Sequence, residues 1–141
     1  MQISVPTDLG GELRKLEGVA VAQISDLMFG KSKAGHPKMT IKYLITEEMD
    51  SIPDGEPPTI GEPVLETYSL QSKALWKLNN LYKDVTGERI PQGDIDYEEF
   101  QAMLIETLIG KAFSLILELE IPGDGSSTDE RTTVTGKTYL S

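Results

Sequence analysis

Two segments of the chain alternate between apolar and polar positions, and this period of two predicts half-buried β-strands. In the first segment the inward-facing positions are Met39, Ile41, Tyr43 and Ile45. In the second segment they are Phe113, Leu115, Leu117, Leu119 and Ile121. Apolar and β-branched runs predict three more strands, over residues 18–29, 64–70 and 131–140, and Gly136 in the last of them suggests a bulge or bend.

The hydrophobic period changes to that of a helix between the third and fourth predicted strands. A first helix is predicted over residues 72–86, with an apolar face of Leu75, Leu78, Leu81, Tyr82 and Val85. A second helix is predicted over residues 97–108, with a face of Tyr97, Phe100, Met103, Leu104, Thr107 and Leu108. Residues of capping type flank both helices: Ser69 or Ser72 and Gly87 at the first, and Asp96, Glu99 and Gly110 at the second.

The resulting order, βββ–αα–ββ, predicts a mainly β, OB-like five-stranded barrel with a helical insert over residues 72–108. We expect the 141 residues to form a single domain. Residues 30–37 are a turn that joins the first two strands into a long hairpin. Residues 1–17 are expected to be a loose lead-in or a short helix, and residues 47–63 a long acidic loop.

Charge is distributed unevenly along the chain, which carries a net charge of −10. Residues 31–42 contain four lysines and no carboxylate, whereas residues 43–66 contain seven carboxylates and no basic residue. Net acidity taken alone argues against a polyanion as partner, but the lysine-rich hairpin is suited to one. Because the chain has no cysteine, no basic–apolar leader and no apolar run of about 20 residues, we expect a soluble cytoplasmic protein without disulfides or membrane contact.

Residues suited to catalysis are few, and the sequence predicts a protein that is not an enzyme and uses no cofactor. His36 is the only histidine and lies in the predicted turn, and the chain has no nucleophile elbow or phosphate-binding glycine loop. The weakest alternative is a magnesium-dependent nuclease, with Glu47, Glu48 and Asp50 as metal ligands but without basic or histidine support.

One segment imitates a calcium site. Residues 93–100, GDIDYEEF, resemble the second half of an EF-hand loop and follow a predicted helix. The first half does not fit, since its ligand positions fall on Glu88, Ile90 and Gln92, and isoleucine cannot bind calcium. We interpret the segment as a capped helix start and predict no metal site there.

The remaining signal is basic. Lys31, Lys33, Lys38 and Lys42 are predicted to contact phosphates from the hairpin. On the fifth strand a single parity, Arg131, Thr133, Thr135, Lys137 and Tyr139, predicts a second basic face. Phe29 and Tyr139 are the predicted base-stacking residues, because OB barrels bind single strands with lysines and aromatic side chains. Phe113 is assigned to the core, and Trp76 and Tyr82 to helix packing.

Several segments together resemble a family of phage single-stranded-DNA-binding-like proteins. They are SKAGHPKMTIKYLI (residues 32–45), SLQSKALWKL (69–78), LIGKAFSL (108–115) and the closing strand. Two departures from the family's hairpin pattern are His36 in place of asparagine and an extra lysine before Met39. The resemblance implies an OB-like fold and binding of single-stranded DNA, through Lys31, Lys33 and Lys38, during phage replication or recombination.

The sequence is therefore compatible with two functions from different classes. The first is a single-stranded-DNA-binding protein with low sequence specificity, in the host cytoplasm, with phage replication or recombination proteins as further partners. The second is an acidic protein–protein adaptor or virion component that binds no nucleic acid. The sequence leaves the oligomeric state open, homo-oligomers included.

Overall fold

The computed structural model describes residues 13–93, 95–121 and 129–141. Five strands are present in these residues, β1 (Gly18–Lys31), β2 (Pro37–Ile45), β3 (Pro63–Ser69), β4 (Ala112–Glu120) and β5 (Arg131–Tyr139). Between β3 and β4 lie a 3₁₀ turn (Ser72–Ala74), helix α1 (Leu75–Thr86) and helix α2 (Tyr97–Leu108). The predicted mainly β class and the order βββ–αα–ββ are confirmed.

The five strands form one antiparallel sheet in the order β3-β2-β1-β4-β5. Among the described strands, no hydrogen-bonded ladder joins the two edge strands β3 and β5. The prediction of a closed barrel is therefore wrong, while the OB assignment stays a prediction. Side chains link the edges instead, because Lys137 Nζ on β5 lies 2.8 Å from Glu66 Oε2 on β3.

The core lies on one face of this sheet, as the alternating pattern predicts. Tyr43, Tyr68 and Phe113 are the largest fully buried side chains. The apolar faces of the two helices cover them, through Leu78, Leu81, Leu104 and Leu108. Gly87, with φ of 79°, ends α1 in the left-handed conformation that glycine adopts most readily.

The N-terminal helix boundaries are only partly as predicted. Asp96 is the N-cap of α2, but within the described residues no side-chain hydrogen bond caps either helix. Ser69 Oγ instead accepts a hydrogen bond from the backbone N–H of Gln71, 3.2 Å away, just before the 3₁₀ turn.

Two β-bulges change which side chains face the core. In β1 the register with β2 shifts between Ile24 and Asp26, and in β4–β5 it shifts between Ile116 and Leu117. Each bulge inserts one extra residue, so every position beyond it moves to the opposite face of the strand. The bend predicted from Gly136 is the second of these bulges, since Gly136 pairs with Ile116 beside the shift.

The residues just before β1 are held against the sheet, and the acidic loop is closed by hydrogen bonds within it. Residues 1–12 lie outside the described residues, whereas residues 13–17 have no helix and are not loose. Leu16 is 2% exposed, and its backbone N–H donates to Thr132 Oγ1 at 2.8 Å. In the loop, Glu48 accepts hydrogen bonds from the backbone N–H groups of Thr59 and Ile60, each at 2.9 Å.

Neither described helix is long and apolar enough to cross a membrane.

Candidate nucleic-acid interface

The tip of the β1–β2 hairpin is a tight turn that exposes two lysines. The backbone N–H of Ser32 donates to the carbonyl of His36 at 2.8 Å, and that of Gly35 donates to the carbonyl of Ser32 at 2.9 Å. Gly35 has φ of 84°, which favours glycine at this position. Lys31 and Lys33 project from this turn as exposed side chains, as the sequence predicts.

The other two lysines continue from the tip along the outer face of the sheet. Lys38 pairs with Ser69 on β3, and Lys42 pairs with Leu65 on β3 and Asp26 on β1. Between them Thr40 Oγ1 lies 3.2 Å from Thr67 Oγ1. Within residues 13–93, 95–121 and 129–141, no ion pair involves any of the four lysines Lys31, Lys33, Lys38 and Lys42.

A second basic segment lies next to the hairpin, and sequence reasoning missed it. Residues 67–83 contain three lysines, Lys73, Lys77 and Lys83, and no carboxylate. The fold joins them to the hairpin because the backbone N–H of Leu70 donates to the carbonyl of Pro37 at 3.0 Å. The two segments carry charges of +4 and +3. The rest of the chain must therefore carry −17 to give the net charge of −10. The absence of carboxylates from residues 67–83 was the available signal.

Strand β5 does not supply the predicted second basic face. The bulge places the predicted residues on two different faces of the strand. Arg131 pairs with the exposed Glu120, whereas Lys137 and Tyr139 pair with the buried Leu115 and Phe113. The prediction that Arg131, Thr133, Thr135, Lys137 and Tyr139 share one face is therefore wrong. Tyr139 packs on Phe113, with ring centroids 5.4 Å apart.

Phe29 also lies on the opposite face from Lys38 and Lys42. It pairs with the buried Met39 and packs against the core as a half-buried side chain. Because Phe29 and Tyr139 both face the core side, neither predicted stacking residue lies beside the lysines on the outer face.

Lys137 belongs to a buried polar cluster that holds the sheet edges together. Glu66 is 7% exposed and accepts hydrogen bonds from Tyr43 OH at 2.8 Å, from Tyr68 OH at 3.1 Å and from Lys137 Nζ at 2.8 Å. Burial, and then the charge of Glu66, raises the pKa of both tyrosine hydroxyls above the ordinary value of 10.0. Both hydroxyls therefore stay protonated and keep donating, and Lys137 is engaged within the fold.

A groove of about 580 Å³ runs along the seam between β3 and β5. Its charged lining is of mixed sign, with basic and acidic side chains in similar number: Arg14, Lys15, Lys77, Arg131, Glu66, Asp129 and Glu130. Arg131 opens onto this seam, away from the hairpin lysines. The mixture of signs suits a polyanion less well than the hairpin surface does.

Trp76 differs most from its prediction. It was assigned to packing, yet it is 65% exposed on α1. Tyr82 and Phe113 do pack as predicted, the first half-buried against the core and the second fully buried. The outward position of Trp76 follows from the helical period, which gives the inner face of α1 to Leu78 and Leu81.

Clusters of acidic side chains are the remaining candidates for a metal-binding site. In the part of the chain that the structure describes, no group of three histidine, cysteine, aspartate or glutamate side chains is arranged to hold a metal ion. The EF-hand-like segment contains residue 94, which lies outside the described residues.

The chain matches no protein-family model, and no curated protein is significantly similar to it.

Proposed function

We propose that this protein binds single-stranded DNA, with little sequence preference and without a cofactor, on the surface around the β1–β2 hairpin. The observation that carries the proposal is the meeting of the two carboxylate-free segments, residues 31–42 and 67–83, at the pairing of Lys38 with Ser69. The two segments together contain seven of the thirteen basic residues of an acidic molecule.

The position of these lysines supports a single strand as the ligand. OB folds bind oligonucleotides on the face of strands two and three and on the loop between strands one and two. Here the same elements carry Lys31, Lys33, Lys38 and Lys42. Phosphate contacts by lysines give affinity without reading the base sequence. Together with the family resemblance, this supports a role in phage DNA replication or recombination.

The direct test is the affinity for a labelled oligothymidylate, measured by fluorescence anisotropy at rising salt. If four lysines neutralise four phosphates, the logarithm of the binding constant should fall against the logarithm of salt with a slope of about −3. A matching RNA oligonucleotide and a DNA duplex give the ligand preference. Absence of binding at 20–50 mM salt (roughly the range where such contacts are strongest), or binding that does not respond to salt, would refute the proposal.

Matched charge reversals separate the hairpin from net charge. The double variant Lys31→Glu/Lys33→Glu should lose affinity by about tenfold or more, because it replaces two phosphate contacts by repulsion. Arg89→Glu/Lys111→Glu changes net charge equally at positions outside both basic segments and should bind nearly as the unmodified protein does. Equal losses in the two variants would contradict a local interface.

One surface favours the second candidate function, a protein–protein adaptor or virion component. Helix α2 and the residue after it expose apolar side chains beside carboxylates. Tyr97 and Ile105 are each 45% exposed, and Ile109, just after the helix, is 36% exposed, near Glu98 and Glu106. Exposed apolar residues in a polar rim are typical of protein interfaces. Affinity capture that Ile105→Glu abolishes, together with no oligonucleotide binding, would favour this function.

A further inference from the structure

Trp76 is the only tryptophan of the chain, and it is 65% exposed on α1. Tryptophan contributes a large apolar surface, and most of it is buried in a typical fold. The side of α1 that faces the core is formed by the buried Leu78 and Leu81, with Leu75, Tyr82 and Val85 packed beside them. The exposure of Trp76 is therefore not explained by packing within the described chain.

The neighbours of Trp76 on the helix surface are basic or polar. Lys73 precedes it by three residues and Asn80 follows it by four, the spacings that place side chains side by side on a helix. Lys73, Lys77 and Asn80 are all exposed. Lys77 Nζ lies 5.0 Å from the centre of the Tyr68 ring, which directs it towards β3. An apolar protein partner would find few apolar residues around this tryptophan, whereas a polyanion finds two lysines.

Trp76 follows the base of the hairpin closely along the chain. Leu70 hydrogen-bonds to Pro37 at the base of the hairpin. From there one extended residue, a 3₁₀ turn and the first residues of α1 lead to Trp76, a path of about 12 Å at the usual rise per residue. A single strand of roughly 4–16 nucleotides, the length that OB folds bind, is long enough to span such a path.

We propose that Trp76 stacks on a base of the bound single strand, with Lys73 and Lys77 on its phosphates, so that the interface extends from the hairpin onto α1. This inference rests on the proposed function and assigns its missing aromatic residue. An indole ring stacks on any base, which fits binding without sequence preference. Flanking lysines hold the backbone, while the tryptophan takes the base.

The tryptophan fluorescence of the protein, excited where tyrosine does not absorb, reports on this residue alone, because no other tryptophan is present. Titration with unlabelled oligothymidylate should quench it with the same midpoint as the anisotropy of the labelled strand. Trp76→Ala should lower affinity about five- to 150-fold, the effect of removing one base–aromatic stack, and Trp76→Phe should retain most of it. Lys73→Ala/Lys77→Ala should reduce the salt slope by about 1.4.

Tyr97→Ala is the matched control, since it removes an exposed aromatic ring among carboxylates on α2 and should leave affinity unchanged. Circular dichroism confirms that each variant folds. If the labelled strand binds but Trp76→Ala binds equally well, the role of Trp76 is refuted, with or without quenching, while the proposed function survives. If the unmodified protein binds no labelled strand, the proposed function fails and this inference fails with it.

Discussion

The cluster around Glu66 yields a quantitative prediction, because it links two sheet edges that no backbone ladder joins. Glu66→Gln keeps the shape of the side chain and removes its charge. The amide oxygen of the new side chain can still accept from Tyr43 and Tyr68. The amide NH₂ group of the glutamine then takes the place of Oε2, which lies 2.8 Å from Lys137 Nζ in the unmodified protein. The variant therefore leaves one ammonium group largely buried without its counter-charge.

Removing one partner of a buried ion pair costs about 3–5 kcal/mol. The side chain of Lys137 is 17% exposed and that of Glu66 6%, so water reaches the ammonium group and reduces the penalty. We therefore expect a loss of about 2–3 kcal/mol in the free energy of unfolding, below the range for a fully buried pair. With a urea dependence of about 1.5 kcal/mol per molar, the unfolding midpoint falls by about 1.5–2 M.

Urea unfolding followed by circular dichroism measures this loss, and the chain offers a matched control. Glu62→Gln makes the same chemical change in the Arg14–Glu62 pair, whose atoms are 3.4 Å apart and whose side chains are 20% and 31% exposed. That change should cost less than about 1 kcal/mol. Lys137→Met in the Glu66→Gln background should cost less than in the unmodified protein, by about 1–2 kcal/mol of coupling. A coupling near zero, or equal losses for the two glutamate variants, would refute the reasoning.

Three further predictions test the fold and the corrected placements. Gly18→Ala should lower the free energy of unfolding by about 1–3 kcal/mol, because φ is 122° and a Cβ would collide with Ser51 Oγ, whereas Gly35→Ala, with φ of 84° and open space, should cost less. Hydrogen bonds from backbone N–H groups lower the pKa of Glu48 below its ordinary 4.5, so its contribution is full above pH 4.5 and is lost as pH falls through the lowered pKa. The stability difference between the unmodified protein and Glu48→Gln should accordingly narrow in acid, and a constant difference in urea midpoints from pH 7 to about 2 would contradict it. Phe29→Leu should leave oligonucleotide affinity within about twofold, since a stacking residue would cost more.

Elements whose signal is local could be predicted from the sequence. The period of two assigned the inner faces within β2 and β4 correctly, because each strand alternates without interruption from end to end. The prediction was wrong for Ile121, which lies beyond the end of β4 and is 59% exposed. The apolar faces of both helices were also correct in Leu78, Leu81, Leu104 and Leu108. These patterns report burial against a core, which any packing of the elements has to satisfy.

The faces of β1 and β5 could not be predicted by counting, because a bulge interrupts each strand. Gly136 indicated an irregularity in β5, but its effect on parity depends on the pairing with β4, a non-local property. Lys137 and Tyr139 therefore moved from the predicted DNA face to the core side. For Trp76 the rule that aromatic residues on helices pack was the wrong guide, since Leu78 and Leu81 are the buried residues of α1 and Trp76 lies outside the face they form.

The carboxylates of the acidic loop lie at a distance from the hairpin tip. The loop of residues 47–63 follows the end of β2 at Ile45, whereas the hairpin tip precedes its start at Pro37. Eight steps of a strand, at about 3.3 Å each, separate these ends by about 26 Å. At physiological salt the screening length is about 8 Å, so the carboxylates of the loop scarcely affect a phosphate bound near Pro37. At 0.01 M salt the screening length grows to about 30 Å, and only there does the acidic loop repel a strand at the hairpin. The acidic loop is thus compatible with the proposed binding of a polyanion at the hairpin end of the sheet.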